Sequence, residues 1–218
     1  MTIGLNKVEL DITREIINIG IAKAADSLSF FIKEKVLIRL LEIQVNSKDY
    51  FPISRKNHLT DKNYLLTTEI KGVMKGKAYL IFNEQETEKI VAANLPESIR
   101  NNEAEKAKMT EAILLEIDNI ITGAVVTQFS NIFQCKIYGD VPSLNILAGK
   151  DINHHLSVHH DKGLNVIYFN ARFITKDETE ITPEFIWLMD DTFFNEVKNV
   201  VSDEKKMELF QKLSDTIE

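Results

Sequence analysis

An internal repeat of one long amphipathic segment constrains the fold of this chain more than any other feature of its sequence. Residues 11–31 (DITREIINIGIAKAADSLSFF) return as residues 111–133 (EAILLEIDNIITGAVVTQFSNIF). Both segments carry apolar residues at helical spacing, and a Glu, an Asn and a Ser recur at a constant offset of 101 residues (116 − 15 = 119 − 18 = 130 − 29 = 101). A repeat of this length predicts two similar structural units, each opened by a long helix.

Each half of the chain shows the same expected order of a long helix, strands, a β-hairpin and a short helix. In the first half we expect a helix from Asp11 or Thr13, a glycine-containing hairpin turn at 71–76, and a helix capped by Asn83 with Glu86 at the capping-box position. The strands of this half are expected at 35–45, near 50–53, and at 64–70 and 77–82. In the second half we expect a helix at 110–133, a loop at 151–163, a hairpin turn at 176–180, a helix after Asp190, and strands at 135–138, 142–147, 165–173 and 184–189.

Helices segregated from largely antiparallel strands indicate an α+β fold. The two copies predict pseudo-two-fold symmetry, with one mainly antiparallel sheet shared by both halves and two long helices that carry the repeated polar residues. Residues 1–201 are therefore expected to form a single domain built from repeats 5–100 and 101–201. Residues 202–218 are expected to add a C-terminal helical extension, whose apolar stripe packs back on the domain or, as the alternative, binds a partner.

Composition narrows the possible partners and locations of the protein. The formal net charge of −7 and the pI of about 5.4 disfavour a nucleic-acid partner, which requires a basic surface. Cys135 is the only cysteine, which excludes an intrachain disulfide and a thiolate metal cluster. The N-terminus shows no signal peptide, and no continuous run of about 18 apolar residues suggests a membrane span, so a cytoplasmic protein is expected.

The repeated polar pair is the candidate functional site. Glu15 and Asn18 are three residues apart on a helix, as are Glu116 and Asn119, so each pair shares one helix face. A carboxylate can accept a hydrogen bond from a lysine, and a carboxamide can orient a water molecule, which suits phosphoryl transfer. A single such pair is usually a solvated surface. Because core packing gives no reason to repeat Glu and Asn, the duplication favours a face that contacts something.

The pattern resembles the signature of the CheC/CheX/FliY family of chemotaxis phosphatases. That signature is an acidic or small polar residue, three others, Glu, two others, Asn, twenty-two others and Pro. The first copy matches it at Asp11, Glu15 and Asn18, and the second at Glu116, Asn119 and Pro142 (142 − 119 − 1 = 22). The layout over residues 5–201 is also similar, and two copies are typical of CheC or of the phosphatase part of FliY.

The resemblance implies a phosphatase that acts on the phospho-aspartate of a CheY-like response regulator. Glu15 and Glu116 would dock the regulator, and Asn18 and Asn119 would position the hydrolytic water. The chain would need no cofactor of its own, because Mg²⁺ belongs to the regulator, and the deamidase CheD is a further partner implied by resemblance only. The alternatives are a non-catalytic module that binds a response regulator or the flagellar switch, as FliM-type domains do, and a receptor-complex regulator.

Each copy departs from the signature in one place. Leu41 stands where the first copy should have the proline (41 − 18 − 1 = 22), and Ala112 stands where the second should have the acidic or small polar residue. Asp118, beside the second Asn, adds a charge where the first copy has Ile17. The relative activity of the two sites is therefore open.

Three further groups of residues are interpreted as structural. His154, His155, His159 and His160 are expected in a solvated loop, with pH sensing or metal binding as alternatives. Trp187 lies in an apolar strand and is expected in the core. Cys135 is expected to be a buried small residue without a nucleophilic role.

Overall fold

The computed structural model describes residues 4–32, 35–46, 60–158, 163–175 and 180–215. The helices are α1 (Lys7–Ile32), α2 (Glu84–Asn94), α3 (Glu97–Arg100), α4 (Glu103–Phe133), α5 (Gly149–Val158), α6 (Asp191–Ser202) and α7 (Glu204–Ser214). The strands are β1 (Leu37–Asn46), β2 (Lys62–Gly72), β3 (Gly76–Asn83), β4 (Ile137–Gly139), β5 (Ser143–Ala148), β6 (Asn165–Ile174), β7 (Glu180–Ile181) and β8 (Glu184–Met189).

All strands join one antiparallel sheet in the order β1-β6-β8-β3-β2-β4, with β5 added to β2 and β7 to β6. The first strand of each half pairs with the other half, since β1 lies on β6 while β4 and β5 lie on β2. The hairpin strands β3 and β8 meet at the centre of the sheet. The α+β class with a mainly antiparallel sheet is thus confirmed, and the two halves exchange strands in a pseudo-symmetric way.

The two long helices cross in close contact. A Cβ atom added to Gly20 of α1 would lie 3.0 Å from Cγ1 and 3.1 Å from Cα of Val125 in α4, so the absence of a side chain lets the helices approach. A Cβ atom on Gly123 would meet nothing within 4 Å. Gly20 therefore serves helix packing, whereas Gly123 faces open space.

The main core lies between these helices and the sheet. Trp187 of β8 is 2% exposed, as expected, and its ring centroid lies 5.5 Å from that of Phe129 in α4. Alternate residues of the same strands point to the opposite face. There Tyr79 and Leu188 form a second cluster with Ile152 and Leu156 of α5.

Helix α5 corrects the loop that the sequence suggested around the histidines. Ile152 and Leu156 lie four residues apart on one helix face and are buried in the second cluster, so the burial of this face stabilises the helix. The exposed His154 and the half-buried His155 lie on this helix, and His159 and His160 fall outside the described residues. The expected strand near 50–53 also falls outside, as does most of the hairpin turn at 176–180.

Both long helices begin earlier than the apolar pattern indicates. Asn6 and Glu9 cap α1 reciprocally, since each backbone N–H donates to the other side chain (2.8 and 3.0 Å). Asn102 caps α4, accepting from the Glu105 N–H at 3.3 Å. The predicted capping box of α2 is confirmed, because Asn83 and Glu86 bond each other in the same way (2.8 and 3.0 Å).

Helix α4 is the one described helix long and apolar enough, by length and composition, to cross a membrane. Its apolar side chains pack against α1 and the sheet, with Leu114, Val125 and Phe129 fully buried. The helix also carries the buried carboxyl of Asp118. In this fold α4 is a core helix.

Helix α7 packs back on the fold. Phe210 is 5% exposed, and Met207 and Leu213 lie against the main core. Lys206 also pairs with Glu196 of α6 at 2.7 Å. The apolar stripe expected in the C-terminal extension is therefore covered by the chain itself, with Ile217 outside the described residues.

Candidate functional site

The second Glu/Asn pair lies at an open groove beside α4. Glu116 and Asn119 are both exposed, and within the described part of the chain neither side chain makes a hydrogen bond or an ion pair. The groove has a volume of about 360 Å³ and is lined by Ala112, Leu115, Glu116, Asn119, Gly139, Asp140, Val141 and Pro142. We call it the α4 groove. It brings Pro142 together with the two polar residues that precede it in the signature.

The far wall of the α4 groove is the segment that separates β4 from β5. The Asp140 N–H donates to the Glu69 carbonyl at 2.8 Å, and the Val141 N–H donates to the Asp140 carboxylate at 2.9 Å. The Lys71 ammonium also bonds the Asp140 carboxylate, which lowers the pKa of Asp140 below its ordinary value. The wall is thus tied to β2 by a backbone bond and an ion pair.

The two proline positions of the signature are structurally equivalent although their residues differ. In the first half the register between β1 and β6 shifts by one residue at Leu41, which forms a bulge between Leu40 and Glu42. In the second half the same register shift falls in the gap between Gly139 and Ser143. The strand stays continuous at Leu41 and breaks at Pro142, where a proline cannot donate to the ladder.

The first Glu/Asn pair is set differently from the second. Glu15 and Asn18 are half-buried on α1, and the Ser214 hydroxyl at the end of α7 donates to Glu15 Oε1 at 2.6 Å. A cavity of about 690 Å³ beside α1 does not include the pair and is lined by Ala22, Ala25, Asp26, Ser29, Phe30, Lys35, Val36, Leu37 and Ile38. The first carboxylate is therefore already engaged within the chain, whereas the second is open.

The repeated serine has a structural explanation. Ser29 accepts from the Val36 N–H at 2.8 Å, and Ser130 donates to the Cys135 carbonyl at 2.6 Å. Both serines thus hold the turn that leads from a long helix toward its strand. The repeated serine is therefore not evidence for a functional site, unlike the repeated Glu/Asn pair. Cys135 itself is half-buried, and burial raises the pKa of its thiol.

Asp118 lies beneath the α4 groove in a buried polar cluster. It is fully buried, and its carboxylate accepts from the Thr68 hydroxyl at 2.6 Å and from the Thr122 hydroxyl at 3.4 Å. Burial raises the pKa of Asp118 to about 6, against the opposing effect of the two hydroxyls. Withdrawing a carboxylate from water costs on the order of several kcal/mol. The sequence indicated an extra charge here but not that it faces inward.

Among the described residues no three His, Cys, Asp or Glu side chains converge in a way that could hold a metal ion. His154 stands exposed on α5, on the far side of the sheet from the main core. The described histidines therefore do not form part of the α4 groove.

Comparisons with known proteins identify the fold. No protein-family model and no curated protein sequence matches the chain. The crystal structure of Thermotoga maritima FliY is similar over 96% of this chain and 98% of its own, with a TM-score of 0.65 and 17% identity. The chain has the CheC/CheX/FliY fold.

The same fold occurs in proteins that form complexes with different partners. The CheX of the Borrelia burgdorferi CheX–CheY–BeF3–Mg²⁺ complex is similar over 80% of this chain and 97% of its own (TM-score 0.50, 17% identity). The FliM of the H. pylori FliM–SpeE complex is similar over 90% and 97% (TM-score 0.59, 10% identity). At sequence identities of 10% to 17%, these similarities show a shared fold only, so the function must be argued from the site.

Proposed function

We propose that this chain is a CheC-like phosphatase that hydrolyses the phospho-aspartate of a CheY-like response regulator in chemotaxis signalling. One observation carries the proposal: Glu116 and Asn119 line an open groove with Pro142, although the proline lies far from them along the chain. The CheC/CheX/FliY fold supports it, as does the complex that a CheX of this fold forms with CheY.

Glu116 and Asn119 have different roles in the proposed reaction. The Glu116 carboxylate pairs with a lysine of the regulator and fixes the docked helix. The Asn119 carboxamide holds one water in line with the bond to be broken, and such positioning supplies much of the rate in phosphoryl transfer. The water oxygen attacks phosphorus, the bond from phosphorus to the aspartate oxygen breaks, and the water proton passes to phosphate or solvent. We assign the Mg²⁺ to the regulator, where it would offset the negative charge of the phosphoryl group.

A non-catalytic switch-binding module is the second candidate function. It is favoured by the likeness to FliM, including the FliM of the H. pylori FliG–FliM complex (TM-score 0.56, 11% identity, 88% of this chain and 100% of that chain). Such a module would bind a regulator or a switch protein through the same face without needing Asn119 to touch a water.

Loss of phosphoryl group from a phosphorylated CheY-like protein separates the two candidates. Wild type should accelerate the loss, and Asn119→Ala should slow it roughly 10- to 100-fold while the affinity for a beryllofluoride-activated regulator stays close to that of wild type. Asn131→Ala, which changes an exposed asparagine on the same helix outside the groove, is the matched control. The enzymatic proposal is wrong if the double variant Asn18→Ala/Asn119→Ala is as fast as wild type.

We also propose CheD as a partner, on the family resemblance alone. Co-purification of the two proteins would test this interaction.

A further inference from the structure

The buried polar cluster of Asp118, Thr68 and Thr122 has apolar residues at its pseudo-symmetric positions. The repeat offset of 101 relates Asp118 to Ile17 (118 − 17 = 101) and Thr122 to Ile21 (122 − 21 = 101), and both isoleucines are 1% exposed. Two buried polar residues of α4 therefore stand where α1 has two buried apolar residues.

The strand residue of the cluster, Thr68, also corresponds to an apolar residue. Glu42 pairs with Asn170 in β6, and its equivalent Ser143 (42 + 101 = 143) pairs with Thr67 in β2. Strands β2 and β6 are thus related by 103 residues (170 − 67 = 103), so Thr68 corresponds to Ala171 (68 + 103 = 171). Ala171 is fully buried. All three pseudo-symmetric positions, occupied by Ile17, Ile21 and Ala171, are therefore apolar.

Packing alone does not account for this difference. At the pseudo-symmetric positions the fold closes over Ile17, Ile21 and Ala171, and a buried carboxylate costs free energy that those side chains do not. Two hydroxyls offset only part of that cost. The free-energy penalty of a buried polar cluster is therefore present beside α4, which carries the open groove, and absent at the equivalent place beside α1, whose Glu15 is engaged by Ser214.

The cluster connects the two walls of the α4 groove. Asp118 lies on α4 between Glu116 and Asn119, and its bond to Thr68 ties this turn of the helix to β2. Thr68 precedes Glu69, whose carbonyl accepts the Asp140 N–H. A Cβ atom on Gly139 would lie 3.1 Å from Thr68 Cγ2 and 3.7 Å from Thr122 Cγ2, so the wall rests directly on the two threonines.

We propose that Asp118, through Thr68 and Thr122, is a positioning residue that fixes the distance between Asn119 and the wall at Gly139–Pro142. The kinetic part of this inference rests on the proposed phosphatase function. The geometric part does not, because the cluster holds the groove whatever the groove binds.

Replacing the three polar residues by their pseudo-symmetric apolar counterparts tests the proposal, because the fold already accommodates those side chains at the equivalent positions. The triple variant Asp118→Ile/Thr68→Ala/Thr122→Ile should unfold at the same or a higher urea concentration than wild type, because apolar residues commonly replace buried polar clusters without loss of stability. Its kcat on a regulator phosphorylated with acetyl phosphate should fall about tenfold, while its affinity for the beryllofluoride-activated regulator changes less than about twofold.

Amide hydrogen exchange supplies a measurement that does not depend on catalysis. The Asp140 amide should exchange about tenfold faster in the triple variant, and the amides of β1, in the other half, should keep their rates. The single variant Asp118→Asn retains an acceptor for the Thr68 hydroxyl, so its kcat and the exchange rate of its Asp140 amide should stay near the wild-type values. Ile17→Leu, at the equivalent position of the first half, is the matched control and should change neither.

The possible outcomes separate the two proposals. The positioning role of Asp118 is wrong if the Asp140 amide of the triple variant exchanges at the wild-type rate. It is also wrong if wild type is an active phosphatase and the exchange rate rises in the triple variant without a fall in kcat. If wild type does not dephosphorylate the regulator at all but the exchange rate still rises, the phosphatase proposal fails and the positioning role stands. A triple variant that unfolds at lower urea than Asp118→Asn would assign the cluster to stability and overturn the proposal.

Discussion

Three polar residues on one turn of α4 have different environments. Glu116 and Asn119 face solvent in the α4 groove, whereas Asp118 between them is fully buried on two threonine hydroxyls. The exposed pair can meet a partner directly. The buried carboxyl can act only through the position of its neighbours and through its own protonation.

That protonation should make stability depend on pH. The pKa of Asp118 is raised from 3.8 to about 6, so at about pH 5 the folded chain holds a proton that the unfolded chain has released. This contribution to the free energy of unfolding is full below the ordinary pKa and is lost as the pH rises through the folded pKa. Compared with Asp118→Asn, wild type should lose about 1 kcal/mol between about pH 5 and about pH 7.5 in urea unfolding. Parallel pH profiles of the two proteins would contradict this.

The two long helices are equivalent in the repeat but are covered differently. Helix α7 has no counterpart after the first half, and it lies against α1, α4 and α6 with Phe210 buried. Its last residue, Ser214, reaches Glu15, the docking acid of the first proposed site. The same helix that completes the core thus occupies one of the two polar pairs.

The two asparagines should therefore contribute unequally. Asn119→Ala should remove most of the phosphatase activity, and Asn18→Ala should remove little, because Glu15 is already engaged and Asn18 is half-buried. Adding Ser214→Ala to Asn119→Ala should raise the remaining activity several-fold by freeing Glu15, at a stability cost of about 1 kcal/mol or less. Ser202→Ala, at an exposed serine outside this contact, is the control. Equal losses from Asn18→Ala and Asn119→Ala would show that α7 does not distinguish the sites.

The whole molecule depends on an exchange of strands between its halves. Strand β1 completes the sheet of the second half, β4 and β5 complete that of the first, and α1 packs on α4. Neither repeat closes a core with its own elements. One domain of two repeats is therefore expected, rather than two domains joined by a linker.

Fragments cut at the exposed turn between α3 and α4 test this expectation. Residues 1–101 and 102–218 should each lack a cooperative unfolding transition as monomers, because each would expose one long helix face and an unpaired strand edge. Mixing them should restore the transition and the circular dichroism of the intact chain. A folded monomer of either fragment, identified by size-exclusion chromatography, would contradict the single-domain prediction.

The sequence by itself determined the features that depend on neighbouring residues. The spacing of apolar residues predicted α1, α4 and the order of strands, the Asn83–Glu86 spacing predicted a helix cap, and the repeat predicted a shared sheet. The helices, the strands and the cap each depend on side chains within a few residues, so a linear pattern is sufficient for them, and the shared sheet followed from the similarity of the two repeats. The start of α1 was missed only because the Asn6–Glu9 cap lies before the apolar stripe.

Tertiary structure decided what depends on contacts between distant parts of the chain. The sequence contained Asp118, Ser214 and Pro142, but it gave no sign that the first is buried on Thr68, that the second engages Glu15, or that the third lines a groove with Asn119. Helix α5 likewise exists because the second core cluster covers Ile152 and Leu156. Burial and pairing depend on which elements meet, and the periodicity of one segment does not encode its neighbours. Two nearly identical motifs thereby become one covered site and one open site.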